Sequence, residues 1–164
     1  MSFLPIPKYK FRAIESISAE LLVKNNIRLL MLDLDNTIAP YGTDHPTKDT
    51  QRWVSAIREA GILLCIVSNS RRARRVEAFA EALGVPYVLR AKKPSPRKPR
   101  ELLRQMNVAA EAAALAGDQI YTDVLSARLA GITPILVKPI KLSNPLLALR
   151  YALEAPFRIW RRYA

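Results

Sequence analysis

Four short segments of this chain carry acids, a hydroxyl and a lysine in an order suited to handling phosphate. They are Asp33-Leu34-Asp35-Asn36-Thr37, Ser68-Asn69, Lys93-Pro94, and Gly117-Asp118 with Asp123 five residues further on. Carboxylates two residues apart on an extended chain project to the same side, so Asp33 and Asp35 are expected to share one crevice. Two such groups repel unless a cation lies between them or one holds a proton. A hard divalent ion such as Mg²⁺ prefers oxygen ligands and relieves that repulsion, and Asp118 can complete its set. One carboxylate can then attack phosphorus while the other moves a proton. Ser68 can donate to a phosphoryl oxygen. Lys93 supplies positive charge where the transition state of phosphoryl transfer gathers negative charge.

Such residues converge only if the elements before them run parallel. Apolar runs at 27–34, 62–67, 85–89, 112–116 and 133–137 read as strands buried on both faces. Helical spacing over 47–60, 71–83, 98–106 and 122–130 separates them, and Ser18 is placed to cap a short helix over 19–24. Strand–helix alternation predicts an α/β fold, a parallel, roughly five-stranded sheet covered on both faces, with functional residues just past the strand ends. Residues 1–12 show no period and read as an irregular arm. The expected organisation is an amino-terminal arm and short helix (1–26), a catalytic core (27–140), and a basic amphipathic carboxy-terminal helix (141–164).

With 164 residues, half of them apolar, the chain is large enough for one domain with a proper core. Its 26 Lys and Arg against 14 Asp and Glu give a formal charge of +12, which favours polyanionic partners: nucleic acid, anionic lipid or a phosphorylated substrate. The lone Cys65 excludes a disulfide framework, and its apolar neighbours mark it as buried and inert. The first residues lack the apolar segment of a secretion signal, and no run approaches the roughly 20 apolar residues of a membrane span. A cytoplasmic protein is expected, with peripheral attachment to a membrane left open.

Taken together, the four segments resemble the motifs of the haloacid dehalogenase (HAD) superfamily of aspartate-nucleophile phosphatases, over roughly residues 14–140. Each segment alone could be a turn or a cap, since Asp, Asn, Ser and Thr favour both; four in order behind strands could not. The resemblance implies a Rossmann-like three-layer α/β/α sandwich and a phospho-aspartyl intermediate on Asp33, with Asp35 as general acid and then base. It implies Mg²⁺ held by Asp33, the main-chain carbonyl of Asp35, and Asp118, with Asp123 in support. Either Lys92 or Lys93 fits the third motif; Pro94 favours Lys93. Thr37, Asn69, Lys93 and Arg71 are the expected contacts to substrate.

About thirty residues separate Thr37 from Ser68 and about twenty-five separate Ser68 from Lys93, each interval filled by one helix and one strand. No cap domain fits there, so the site is expected to be open, as in the uncapped subclass III. DLDNTIAPY, VSNS, KKP and GDQIYTDV look most like the YqeG-type phosphatases, a group similar to phosphatases of phosphatidylglycerophosphate. That likeness implies a phospholipid substrate. Nucleic-acid ends, a soluble phosphate ester, or a non-enzymatic role in binding RNA or a ribosomal particle are the alternatives. Arg71-Arg72-Ala73-Arg74-Arg75, and Arg90, Lys92, Arg97, Lys98 and Arg100, cluster around the second and third motifs as a basic funnel. The sole histidine, His45, is expected to be exposed. The tail from Asn144, with Arg150, Arg158, Trp160, Arg161 and Arg162, either lies on an anionic bilayer or packs on the core with a kink at Pro156.

Overall fold

Uninterrupted apolar runs make the inner strands, because a strand covered on both faces has no side left for polar residues. The computed structural model describes residues 4–142 and 145–159. In chain order the main elements are β1 (Tyr9–Phe11), α1 (Ala19–Lys24), β2 (Leu29–Leu32), α2 (Lys48–Glu59), β3 (Leu63–Val67), α3 (Ala73–Leu83) and β4 (Tyr87–Val88). There follow α4 (Arg97–Gln105), β5 (Ala113–Gly117), a π-helical turn (Ile120–Val124) running into α5 (Leu125–Ala130), β6 (Thr133–Val137), α6 (Pro145–Leu153) and α7 (Ala155–Arg158). The strands form one sheet, ordered β1-β6-β5-β2-β3-β4, with every pairing parallel.

Alternate residues of each strand feed opposite layers. Leu30, Leu32, Leu64, Ile66 and Ile135 pack with Leu22, Trp53, Ile57, Val76 and Phe79 of α1, α2 and α3. Leu29, Met31, Cys65, Val67 and Leu115 pack with Leu102 and Leu103 of α4 and Ala127 of α5. The result is the three-layer, Rossmann-like α/β arrangement. Cys65 is fully buried and burial pushes its thiol up to about 12, so it belongs to the core. Among the described residues no cap is inserted: loops 33–47 and 68–72 lead directly from strand to helix.

Local chemistry sets the helix ends. Ser18 Oγ accepts from Leu21 N–H at 3.2 Å and Thr47 Oγ1 from Thr50 N–H at 3.1 Å, each satisfying an otherwise free donor of a first turn. Gly84, at φ 63°, ends α3 in the left-handed conformation that glycine adopts without strain.

Three expectations need correction. The sheet has six strands, because the arm read as irregular contributes β1, paired with β6 through Tyr9 and Ile135. A three-residue edge strand is too short to show a period. The third predicted strand shrinks to Tyr87–Val88 at the other edge. The tail is not one long helix: it breaks between α6 and α7, where Pro156 has no N–H to continue the ladder. The expected Trp160, Arg161 and Arg162 lie outside the described residues.

The order of connection reverses between β2 and β5: the chain leaves β2 toward β3 and β4, and leaves β5 toward β6. Crevices open at such switch points beyond the carboxyl ends of the strands. Asp33 follows β2 and Asp118 follows β5.

Phe79 is fully buried between α3 and the sheet. Phe79→Ala is expected to cost about 3–5 kcal/mol, measured by urea unfolding; a cost below about 1 kcal/mol would mean that this layer collapses around the gap.

Candidate active site

Asp33 continues the β2–β5 ladder by donating its N–H to the Ala116 carbonyl at 2.9 Å, which fixes its side chain at the switch point. The next two strands bring their loops to it. Lys93 Nζ lies 2.6 Å from Asp33 Oδ1 and 2.6 Å from Asp123 Oδ1, and all three residues are buried. Asn69 sets the lysine's position by accepting the Lys93 N–H (2.8 Å) and donating to its carbonyl (3.0 Å). Of the two candidate lysines, then, Lys93 enters and Lys92 points out to solvent. Asp123 sits in the π-helical turn, and its Oδ2 accepts from Gln119 N–H at 3.2 Å. Gly117 makes room for it: a Cβ there would collide with the Asp123 carboxylate.

Carboxylate oxygens of Asp33, Asp118 and Asp123 lie within 4.8 Å of one another. Asp118 Oδ1 is buried and has no hydrogen-bond partner. Three acids around one lysine leave uncompensated negative charge, and an all-oxygen donor set with an orphaned oxygen suits a hard divalent cation. Burial raises Asp33 to about 7 against the pull of Lys93, with Asp123 and Asp35 adding to the rise. Asp118 is raised well above the ordinary range by burial, then by Asp33 and Asp123. Burial would lower Lys93, but the charges of Asp123 and Asp33 overcome it and hold the ammonium above its ordinary value.

The Asp35 carboxylate lies outside this cluster. Asn36 turns the chain at φ 62°, and Asp35 Oδ1 accepts from Arg75 Nη1 at 2.6 Å. Arg75 is itself buried and also donates to the carbonyls of Thr43 (2.7 Å) and Pro40 (3.1 Å). Thr37, buried, donates to Asp33 Oδ2 at 3.4 Å. Ser68 is fully buried, its Oγ accepting from Ser70 N–H at 3.0 Å. Arg71 is exposed beside Asn69, and His45 is exposed as expected.

Sequence reading missed three groups. Arg75 was one member of a basic run, and only packing turns it inward. Tyr41 stands near the cluster: its phenol is raised by partial burial and by Asp118, Asp35 and Asp33. The tail contributes the third. Glu154 accepts from Ile120 N–H (3.0 Å) and Tyr121 N–H (3.4 Å), while Arg158 donates to Glu154 and to the Asp118 carbonyl. Both are buried, so α6 and α7 grip the loop that carries Asp118 and Asp123. The packed alternative for the tail therefore holds for this face.

Proton linkage gives a test of the metal-free chain. Unfolded carboxyls titrate near pH 4, while folded Asp33 keeps its proton to about 7. The folded chain binds more protons across that window, so its stability falls as pH rises through it. In EDTA the melting temperature is expected to drop from about pH 5 to about pH 8, less so in Asp33→Asn, and Mg²⁺ at the higher pH should restore the wild type. An unchanged slope in the variant would show that Asp33 does not hold the extra proton.

A family profile described as haloacid dehalogenase-like hydrolase matches residues 14–131. A Bacillus subtilis (strain 168) protein named "Probable phosphatase YqeG" is 34% identical over 139 residues, covering 85% of this chain and 80% of that protein. Among solved structures, the fold is similar to 3-deoxy-D-manno-octulosonate 8-phosphate phosphatase from Moraxella catarrhalis, in complex with magnesium, phosphate and a KDO molecule. That match has TM-score 0.51 and 19% identity over 62% of this chain and 63% of that one, a little under two thirds of its length. The enzyme of the same name from Yersinia pestis matches with TM-score 0.54 and 20% identity, over 76% of this chain and 69% of that one. At these identities the structural likeness is one of fold.

Proposed function

The chain belongs to the haloacid dehalogenase-like hydrolase family and is a phosphatase, and from that premise we propose that it removes the terminal phosphate of phosphatidylglycerophosphate at a membrane surface. One observation carries the choice of substrate: an uncapped crevice is bordered by an exposed leucine face. Leu142, Leu147, Arg150 and Tyr151 line the same narrow cleft as Asn36 and Asp118, so α6 borders the crevice. Leu146, Leu149 and Leu153 recur at i, i+3 and i+7 on α6, 75%, 58% and 61% exposed. Leucines beside arginine, on a chain of formal charge +12, fit an anionic bilayer. Among the described residues no helix is long and apolar enough to cross a membrane, so the attachment proposed is peripheral.

In this reading Asp33, the main-chain carbonyl of Asp35, Asp118 and, in support, Asp123 would hold Mg²⁺, which when bound would shield phosphoryl charge. Lys93, Ser68 and Thr37 orient the phosphoryl oxygens, and Asn69 keeps Lys93 in place. Asp33 attacks phosphorus through one carboxylate oxygen, the bond to the leaving oxygen breaks, and Asp35 gives that oxygen its proton. Water, giving a proton to Asp35, then attacks the phospho-aspartate and releases inorganic phosphate and free Asp33. Arg75 is a positioning residue that holds the Asp35 carboxylate until substrate arrives.

Phosphate release from phosphatidylglycerophosphate in mixed micelles is expected to require Mg²⁺ and to fall at least a thousandfold in Asp33→Asn, by analogy with other nucleophile deletions. Comparable turnover in the variant would remove the mechanism. Wild-type release from a soluble sugar phosphate but not from the lipid would remove the substrate assignment.

Burying a leucine is worth about 1.5–3 kcal/mol. Replacing Leu146, Leu149 and Leu153 together by Ser is therefore expected to weaken co-sedimentation with phosphatidylglycerol-containing vesicles at least tenfold. Undiminished binding would mean that α6 is not the docking face.

A further inference from the structure

Beside the catalytic crevice lies a cleft of about 480 Å³ lined by Asn69, Arg71, Arg90 and Lys92. It has three cations and an amide, and no acid. Its two walls are the loops that also carry Ser68 and Lys93. On each loop one residue enters the buried site and its neighbour faces the cleft: Ser68 is buried where Asn69 is exposed, and Lys93 is buried where Lys92 is exposed. The cleft therefore adjoins the place where the phosphoryl group must sit, and its amide already joins the two loops.

The backbone adds a second, separate observation. Arg90 and Lys92 have φ of 48° and 55°, a left-handed conformation that side chains other than Gly and Asn rarely adopt. Between them Ala91 is fully buried and donates its N–H to the Ser68 carbonyl at 3.0 Å, so the loop is pinned in this shape. Two long cations thus stand where a turn alone would favour Gly or Asn, and both border the same cleft. A surface run of solvated charge needs neither the strained backbone nor the common cavity.

We propose that Arg71, Arg90 and Lys92 form a subsite for a second anionic group of the substrate, a phosphodiester one glycerol away from the phosphate being removed. The proposal rests on the lipid reading above and deepens it. Phosphatidylglycerophosphate carries such a phosphodiester; phosphatidic acid, with its single phosphomonoester, does not. The enzyme should therefore prefer the first over the second, and the preference should reside in these cations. Guanidinium and ammonium groups suit the task because they bind phosphate oxygens through charge-assisted hydrogen bonds.

The test uses the full chain with Arg90→Asn and Lys92→Asn combined, since Asn tolerates the left-handed conformation and keeps the loop foldable. Phosphate release is measured from phosphatidylglycerophosphate and from phosphatidic acid in the same Mg²⁺-containing micelles. The wild type is expected to prefer phosphatidylglycerophosphate, and the ratio of kcat/KM should fall about tenfold in the variant, the order expected for losing a charge-assisted contact. The loss should appear in KM rather than kcat. An equal loss on both lipids would overturn the subsite and leave only a general basic funnel; an unchanged ratio, or a wild type without preference, would overturn it as well. A wild type inactive on both lipids but active on a 5′-phosphorylated oligonucleotide would overturn the lipid reading, and the proposal with it.

Discussion

A single ammonium among three buried carboxylates organises this molecule. Asp33, Asp118 and Asp123 bring oxygens within 4.8 Å of one another, a range at which each pair of like charges repels by roughly 3–4 kcal/mol at an effective dielectric of about 20. Lys93 touches two of the three at 2.6 Å and cannot reach neutrality alone. The cluster must keep a proton, as Asp33 does up to about 7, or accept a further cation. What stabilises such a site is therefore also what makes it receptive: the remaining charge and the orphaned Asp118 oxygen are an incomplete coordination shell. Much of the surrounding detail, from the missing Cβ of Gly117 to the clasp of Asn69 on the Lys93 peptide, keeps these four side chains at contact distance.

A second tier of buried charge holds the loops on which the cluster sits. Arg75 ties Asp35 to the carbonyls of residues 40 and 43, and so shapes the loop after β2. Glu154 and Arg158 do the same for the loop after β5, with the Arg158 guanidinium also stacked 4.2 Å over the Tyr151 ring. Buried ion pairs of this kind add little net stability, but removing one partner strands the other at a cost of about 3–5 kcal/mol. Their effect is on geometry. They turn an open strand-end crevice, which needs only a few loop residues, into one whose backbone is fixed from two sides.

How much of this was legible in the sequence depended on whether the signal was local. β6 was read to the residue, and the inner strands to within a few, because burial on both faces leaves continuous apolar runs. Asp33, Lys93, Asp118 and Asp123 were expected to converge because each directly follows or closely trails such a run, and the parallel sheet does bring these four together. β1 was missed because Tyr9–Phe11 pairs at an edge through backbone atoms, with no pattern of its own. Asp35 lies close enough for its charge to raise both Asp33 and the Tyr41 phenol, but its pairing with Arg75 was not legible in the sequence. Arg75 and Glu154 were invisible as partners: their contacts lie 40 and 34 residues away in the chain. Nothing in a charged helix face announces which member will be buried.

The two rims of the crevice differ in chemistry. On the side of β5 and β6 the border is α6, with leucines turned out to solvent and Arg150 beside the Asp118 cleft. On the side of β3 and β4 it is a cationic cleft held by left-handed backbone. A soluble phosphate ester has no use for exposed leucines, and a nucleic acid would bring charge to both rims and nothing for the leucines to meet. An anionic bilayer offers both kinds of surface at once, phosphates for the cations and acyl chains beneath them for the leucines. With no cap among the described residues, such an enzyme needs another way to exclude water from its site. On the proposed reading, the membrane takes that part: docking covers the crevice from above, and the dielectric around the buried cluster falls only when substrate is in reach.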